Sequence, residues 1–253
     1  MQPSGASSSR VEGDATATFS TAMTHVADAK AFVATSTTIA RLREPTATLT
    51  VAPTATFEPT ATPDPFANVT PAPNFQGDVL ALLPRLDQLP AGFAIAAEGP
   101  LSAELIASAY SDEAGFLKKL ETWGFRQGAA RSFTVARATP AEQQTRMTAF
   151  NAAVIEFGSP EQARHSMEEN REYVKKGIVG DPPNIALEGL GDYAIAVQGE
   201  VRHGANLEKW AFIWVRKGNL VLYFRAMSLG YIPMDEAIQI ATATVAQIPA
   251  LNG

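Results

Sequence analysis

Apolar and polar positions alternate with recognisable periods through residues 78–253. Alternation at every second position predicts strands, and recurrence every three or four positions predicts helices. The resulting order is a strand, two short helices, two strands, a helix, three strands and a helix. The predicted strands span 93–98, 131–137, 147–157, 193–201, 207–217 and 220–227. Strands joined by short connections usually pair antiparallel, so we expect an α+β fold with an antiparallel sheet of about six strands flanked by helices.

Capping residues locate the helix starts. Ser102 and Ser111 are placed to cap the two short helices. Ser159, followed by Pro160 and Gln162, forms a capping box that predicts the next helix, which ends at about Gly177. The last helix is predicted from one apolar stripe: Met234, Ile238, Ala241, Val245 and Ile248.

Residues 45–77 have a composition that cannot form a core. Between positions 45 and 73, 21 of 29 residues are Pro, Thr or Ala. Such a segment favours polyproline II, so we expect a disordered Thr/Pro/Ala-rich stalk, with a passive interdomain linker as the alternative. Residues 1–44 form an N-terminal segment in which 15–43 predicts a marginal helix. That helix is either an anchor or oligomerisation element or a frayed tail.

Composition narrows the function classes. The net charge is −6, and residues 78–253 contain 16 Lys or Arg against 20 Asp or Glu, so a nucleic acid partner is not expected. Cysteine is absent, which excludes disulfides and thiolate catalysis. The first residues have neither the basic nor the apolar region of an export leader, so we expect that any such leader has been removed.

The strongest sequence-based candidate for a site is the last hairpin. A two-residue turn at Gly218 and Asn219 fixes its register. One side, the mainly aliphatic one, then carries the apolar pairs Val215 with Leu222, Ile213 with Phe224 and Ala211 with Ala226. The other side pairs Trp214 with Tyr223, Phe212 with Arg225 and Trp210 with Met227. The candidate ligand-binding residues are Trp210, Phe212, Trp214, Arg216, Tyr223 and Arg225, because they can stack on an apolar ligand and pair with an anionic group. The alternative is that a helix covers this side.

Catalytic signals are weak. The three histidines, His25, His165 and His203, are scattered, and no metal-ligand spacing occurs, so neither a metal nor another cofactor is expected. Gly189-Leu190-Gly191 lacks the third glycine of a dinucleotide fingerprint, and Asp192 most simply bonds to a turn. Carboxylates near strand ends, Glu98, Glu156, Asp192 and Glu200, leave a hydrolase as the weaker hypothesis.

Two short stretches carry a resemblance to a known family. Leu190-Gly191-Asp192-Tyr193-Ala194 and, one strand later, Val215-Arg216-Lys217-Gly218-Asn219-Leu220-Val221 resemble the corresponding turns of PsbP-like α/β/α sandwich domains. The chain is also similar to bacterial cell-envelope lipoprotein and kinase-sensor ectodomains. The resemblance implies an exported, non-enzymatic domain joined to a membrane by a Thr/Pro-rich tether.

We therefore expect a non-enzymatic binding or accessory domain that is displayed on a stalk. Its expected location is extracytoplasmic, either at the cell envelope or secreted. Its partner would be a protein or a small molecule, and any membrane contact would run through an anchor or partner absent from this chain. A structural subunit that docks on a larger membrane or envelope assembly is the alternative hypothesis.

Overall fold

An antiparallel sheet of seven strands, in the order β1-β2-β3-β7-β6-β5-β4, forms the centre of the protein. The structure is a computed structural model that describes residues 65–203 and 206–249. The predicted N-terminal helix and most of the predicted stalk lie outside these residues. The strands are β1 (Phe93–Leu101), β2 (Gln127–Val135), β3 (Ala149–Glu156), β4 (Ile185–Ala186), β5 (Tyr193–His203), β6 (Asn206–Lys217) and β7 (Leu220–Ser228).

The predicted α+β class is confirmed, with one more strand than expected. The additional strand, β4, has two residues and pairs with the edge of β5, so it is too short to produce a periodic pattern. The register of the β6–β7 hairpin is the predicted one in every pair from Ala211 with Ala226 to Lys217 with Leu220. Gly218, at a φ of 59°, provides the backbone conformation that the two-residue turn needs.

Five α-helices and two short 3-10 helices surround the sheet in the described residues. They are α1 (Ala103–Ala107), α2 (Glu113–Thr122), α3 (Pro140–Thr145), α4 (Pro160–Lys175) and α5 (Met234–Val245), with 3-10 helices at Val79–Leu82 and Leu86–Gln88. Asp112 rather than Ser111 caps α2. Ser159 caps α4 as expected, through a 3.1 Å bond from the Gln162 N–H. The Gln162 side chain binds the Thr122 carbonyl instead of completing the box.

The two faces of the sheet are covered by different helices. We call the face that carries Ile213 and Phe224 the first face; it packs on α5 and on the helix Val79–Leu82. The second face carries Trp214 and Tyr223 and packs on α1, α2 and α4. Apolar side chains are therefore buried on both sides of the sheet, as in other layered α/β arrangements. In the described part of the chain, no helix is long and apolar enough to cross a membrane.

A buried carboxylate joins the start of the described chain to the centre of the sheet. Glu156, at the end of β3, is 1% exposed and accepts from the Phe75 N–H at 2.8 Å and from the Gln127 amide at 2.7 Å. It also pairs with Arg126 at 3.3 Å. Three residues before Phe75, the Ala72 N–H donates to the Gly158 carbonyl at 2.8 Å. These bonds hold residues 72–75 against the C-terminal end of β3.

Candidate functional site

Small side chains cover the second face over strands β1, β2 and β3. Gly99, Ala130 and Ala153 lie side by side in one row across the sheet, and the row continues into Tyr223 of β7. Helices α1, α2 and α4 rest on the larger side chains around this row. Glycine and alanine fill little of the space between sheet and helices, so the row becomes the floor of a cavity.

The cavity has a volume of about 350 Å³. A Cβ atom added at Gly99 would meet no other atom within 4 Å, which independently shows open space above the floor. Its roof and walls come from α1, the loop after it, α2 and α4, through Leu105, Ile106, Tyr110, Phe116, Leu120, Met167 and Asn170. Pockets for small molecules occupy roughly 300 to 1,000 Å³ and are mainly apolar, so this cavity falls at the small end of that class.

One side-chain amide connects the roof of the cavity to its floor. Asn170 of α4 donates from Nδ2 to the Tyr110 hydroxyl at 2.9 Å and accepts through Oδ1 from Trp214 Nε1 at 2.8 Å. The Tyr110 ring stacks on Phe116. Burial raises the pKa of Tyr110, while the bond from Asn170 acts in the opposite direction. This bridge through Asn170 fixes the distance between Tyr110 in the roof and Trp214 in the sheet, because the nitrogen and the oxygen of the amide are both hydrogen-bonded.

Three hydroxyl groups face the cavity without a partner. In the described part of the chain, the side chains of Ser132, Ser166 and Tyr223 make no hydrogen bond. Burial raises the pKa of Tyr223 to about 12, and the nearby positive charge of Arg225 acts in the opposite direction. At neutral pH, Tyr223 is therefore a neutral donor. Polar groups in protein interiors are usually paired, so these hydroxyls are available to a bound molecule.

The sequence-predicted site residues are only partly brought together. Trp214 and Tyr223 line the cavity, and Phe212, which is 6% exposed, is buried on the second face. Trp210 is half-buried and stacks on Phe212 at 5.6 Å, and the Arg225 guanidinium lies 4.8 Å from the centre of the Trp210 ring. Arg216 is half-buried at the opposite end of the hairpin. The role of these six residues as a ligand site remains a prediction.

Each acidic candidate from the sequence has a structural contact. Apart from buried Glu156, the partners are Arg131 for Glu98 at 2.7 Å, the Gly218 N–H for Asp192 at 2.6 Å, and Lys209 for Glu200. His165 is exposed and lies edge-on to Phe66 and Trp123. Among residues 65–203 and 206–249, no group of three or more His, Asp or Glu is placed to hold a metal ion.

The floor and the bridge were not found by sequence reasoning. Gly99, Ala130 and Ala153 each look unremarkable in their own strand, and become a site only when the three strands pair in register. A usable signal exists, since Ala153 lies within a predicted strand and Gly99 and Ala130 each lie next to the end of one, and all three residues are small. Asn170 carried no separate signal, because it lies in a helix whose exposed side is densely charged.

Comparisons with known proteins give one named structural likeness. No protein-family profile and no curated protein matches the chain. Among solved structures, the chain is similar to the extracellular domain of PknH from Mycobacterium tuberculosis, with 12% identity and a TM-score of 0.45. The alignment covers 67% of this chain and 93% of that one. The resemblance to PsbP-like domains stays a prediction.

Proposed function

We propose that the domain is a non-enzymatic binding module that takes a small, largely apolar molecule into the cavity between the sheet and helices α1, α2 and α4. The observation that carries this proposal is the cavity itself, of about 350 Å³ and lined mainly by apolar side chains. Because a methylene group is close in size to a water molecule, which occupies about 30 Å³, this space accepts roughly a dozen non-hydrogen atoms.

Physical cost supports a binding role over a packing defect. The cavity is partly open to solvent, since Gly99, Leu105 and Phe116 in its lining are half-buried, and an apolar lining left in contact with water costs about 25 cal/mol per Å² of apolar surface. A sequence selected only for stability would fill the floor with larger side chains at Gly99 or Ala153. The unpartnered hydroxyls of Ser132 and Tyr223 also support occupancy by a molecule that carries at least one polar group.

Filling the floor tests the proposal. Ala153→Leu and Gly99→Val place additional methyl groups in the cavity, and both should abolish binding of 1-naphthylamine, a largely apolar fluorophore that is neutral at pH 7 and small enough for the cavity. The matched control is Ala94→Leu, the same kind of enlargement at an exposed position of β1. Fluorescence titration measures the affinity, and urea denaturation shows whether each variant folds. Equal binding by the wild type and both folded filling variants would contradict the proposal.

We also propose that the module works outside the cytoplasm, at the cell envelope or in a secreted form. The support is the run of Pro, Thr and Ala between positions 45 and 73, which is typical of a spacer that holds a domain away from a surface. Fractionation of cells expressing the native gene should recover the protein with the envelope or medium. Recovery in the cytoplasm alone would contradict this placement.

A further inference from the structure

A row of polar side chains borders the apolar floor. Ser132 on β2 is directly opposite Asn151 on β3, and Asn151 is directly opposite Arg225 on β7. All three lie on the second face, one row away from Ala130, Ala153 and Tyr223. Neighbouring strands are about 4.8 Å apart, so the three positions span roughly 10 Å. Ser132 lines the cavity, and Asn151 and Arg225 follow it in the row beyond the cavity lining.

None of the three side chains has a hydrogen-bond partner among the residues that the structure describes. The Nε atom of Arg225 is buried and unpartnered as well. A guanidinium and an amide together offer several N–H donors, and a hydroxyl adds one more. Donors in one row without acceptors of their own suit a group rich in acceptors, above all an anion.

Arg225 forms no ion pair in the described part of the chain, and the carboxylate of Glu208 instead accepts from Nε1 of the adjacent Trp210 ring at 3.0 Å. The guanidinium lies over the face of Trp210, an arrangement that stabilises a cation and leaves its charge in place. No carboxylate of the described residues lies within ion-pair distance of it; Glu200, on a nearby strand, is paired with Lys209. The charge also acts on the Tyr223 hydroxyl inside the cavity, where it favours the phenolate.

Arg216 shows what distinguishes the Arg225 row. Its Nε atom is also buried without a partner, and it lies on the same face of the sheet. Its neighbours across the next two strands are Val221 and Ile155, both apolar. On the side of the cavity, the Arg216 row therefore has no second donor, and its other neighbour, Tyr193, lies on β5, away from the cavity. The Arg225 row has Asn151 and Ser132 on the cavity side.

We infer that the ligand is an acidic amphiphile, whose apolar body fills the cavity and whose single anionic group binds to Arg225, Asn151 and Ser132. This inference rests on the proposed binding function and specifies the chemistry of the molecule. Ligands of this class have an apolar body, such as an acyl chain, and a carboxylate or another head group with a single negative charge.

A matched pair of ligands tests the inference on the full chain. Decanoate and decanol have the same apolar body and differ in the charge of the head group. Isothermal titration calorimetry, at concentrations where neither ligand aggregates, should show that Arg225→Gln weakens decanoate binding by about tenfold to a hundredfold, the range for a lost charged hydrogen bond. Decanol binding should not change.

Two further variants separate charge from structure. Arg225→Lys keeps the charge and should retain part of the decanoate affinity that Arg225→Gln loses. Arg137→Gln removes an equal charge at an exposed position after β2 and should leave both ligands unaffected. Urea midpoints identify any variant that fails to fold, and in that case Asn151→Ala, which removes a neutral donor, should still weaken decanoate more than decanol.

The outcomes distinguish the two claims. If decanol and the neutral fluorophore bind but Arg225→Gln weakens decanoate and decanol equally, or neither, the acidic-head inference is wrong and the binding function stands. If neither ligand nor the fluorophore binds to the wild type, both claims are wrong. Selective weakening of decanoate, with Arg137→Gln unchanged, supports the inference.

Discussion

Replacing Glu156 by glutamine is expected to destabilise the domain far more than an exposed replacement of the same kind. The carboxylate is 1% exposed and accepts from the Phe75 N–H, the Gln127 amide, Arg126 and the Asn219 amide. Glutamine has nearly the same shape, so the change removes the charge and converts one acceptor into a donor. Arg126 then loses its counter-ion while it remains largely buried.

The magnitude follows from the environment of the pair. Removing one partner of a buried ion pair costs about 3 to 5 kcal/mol. Arg126 is 24% exposed and keeps the carbonyl oxygens of Ala72 and Gly158 as acceptors at 2.9 and 3.2 Å. Partial solvation and these two bonds reduce the penalty, so we expect a loss of about 2 to 4 kcal/mol in the free energy of unfolding.

Urea denaturation of the full chain measures this loss, with Glu168→Gln as the control. Glu168 forms an exposed pair with Arg164 at 3.1 Å on helix α4, and such pairs contribute about 0 to 1 kcal/mol. The two variants make the same chemical change in different surroundings. If Glu156→Gln is no less stable than Glu168→Gln, the buried carboxylate does not fix the start of the domain, and the reasoning fails.

Two other predictions concern protonation and proteolysis. Burial raises the pKa of Tyr223 from 10.0 to about 12, so its contribution is complete below pH 10 and is lost as the pH rises through 12. Between these pH values the wild type should lose roughly 1 to 2 kcal/mol more of its free energy of unfolding than Tyr223→Phe, so its Tm should fall more steeply with pH, and parallel curves would contradict this. The Thr/Pro/Ala-rich composition of the stalk predicts cleavage by a protease within positions 42–76, and the cut should fall on the N-terminal side of Phe66, because Ala72 and Phe75 are bonded to the domain. A first cut between Phe66 and Gln76 in the wild type would show that these bonds open readily.

Local signals predicted the hairpin correctly and still missed a helix. A turn of Gly218 and Asn219 leaves one register, in which the apolar residues Val215 and Ile213 face Leu222 and Phe224, so the pairing of β6 with β7 followed from the sequence. Helix α3 carries Thr139 as cap, Pro140 at its first position and Glu142 as the reciprocal acceptor. This is the signal that located α4. Helix α3 nevertheless lacks the apolar stripe by which helices are predicted, because it has six residues and no buried side chain.

The cavity depends on contacts that are distant in sequence. β3 pairs with β7, more than 70 residues later, and β1 reaches its register with β2 through an irregularity between Ile95 and Ala97. Neither feature has a local signature. Without them, Gly99 and Ala153 cannot be assigned to one floor, and the row from Ser132 to Arg225 cannot be seen. The aromatic residues Trp214 and Tyr223 were identified because they belong to a single hairpin.

The attachment at Glu156 also determines how a pulling force would enter the protein. Tension applied to the chain before Phe66 reaches the fold first at the Phe66 ring, which lies edge-on to His165 of α4, and then at Ala72 and Phe75, whose backbone bonds end on Gly158 and Glu156. Both acceptors adjoin β3, an interior strand of the sheet rather than an edge strand. The load is thus shared by several hydrogen bonds at once before the helix Val79–Leu82 is strained. The second face, which holds the cavity, takes up part of this load, because Phe66 and the cavity-lining Trp123 both lie edge-on to His165.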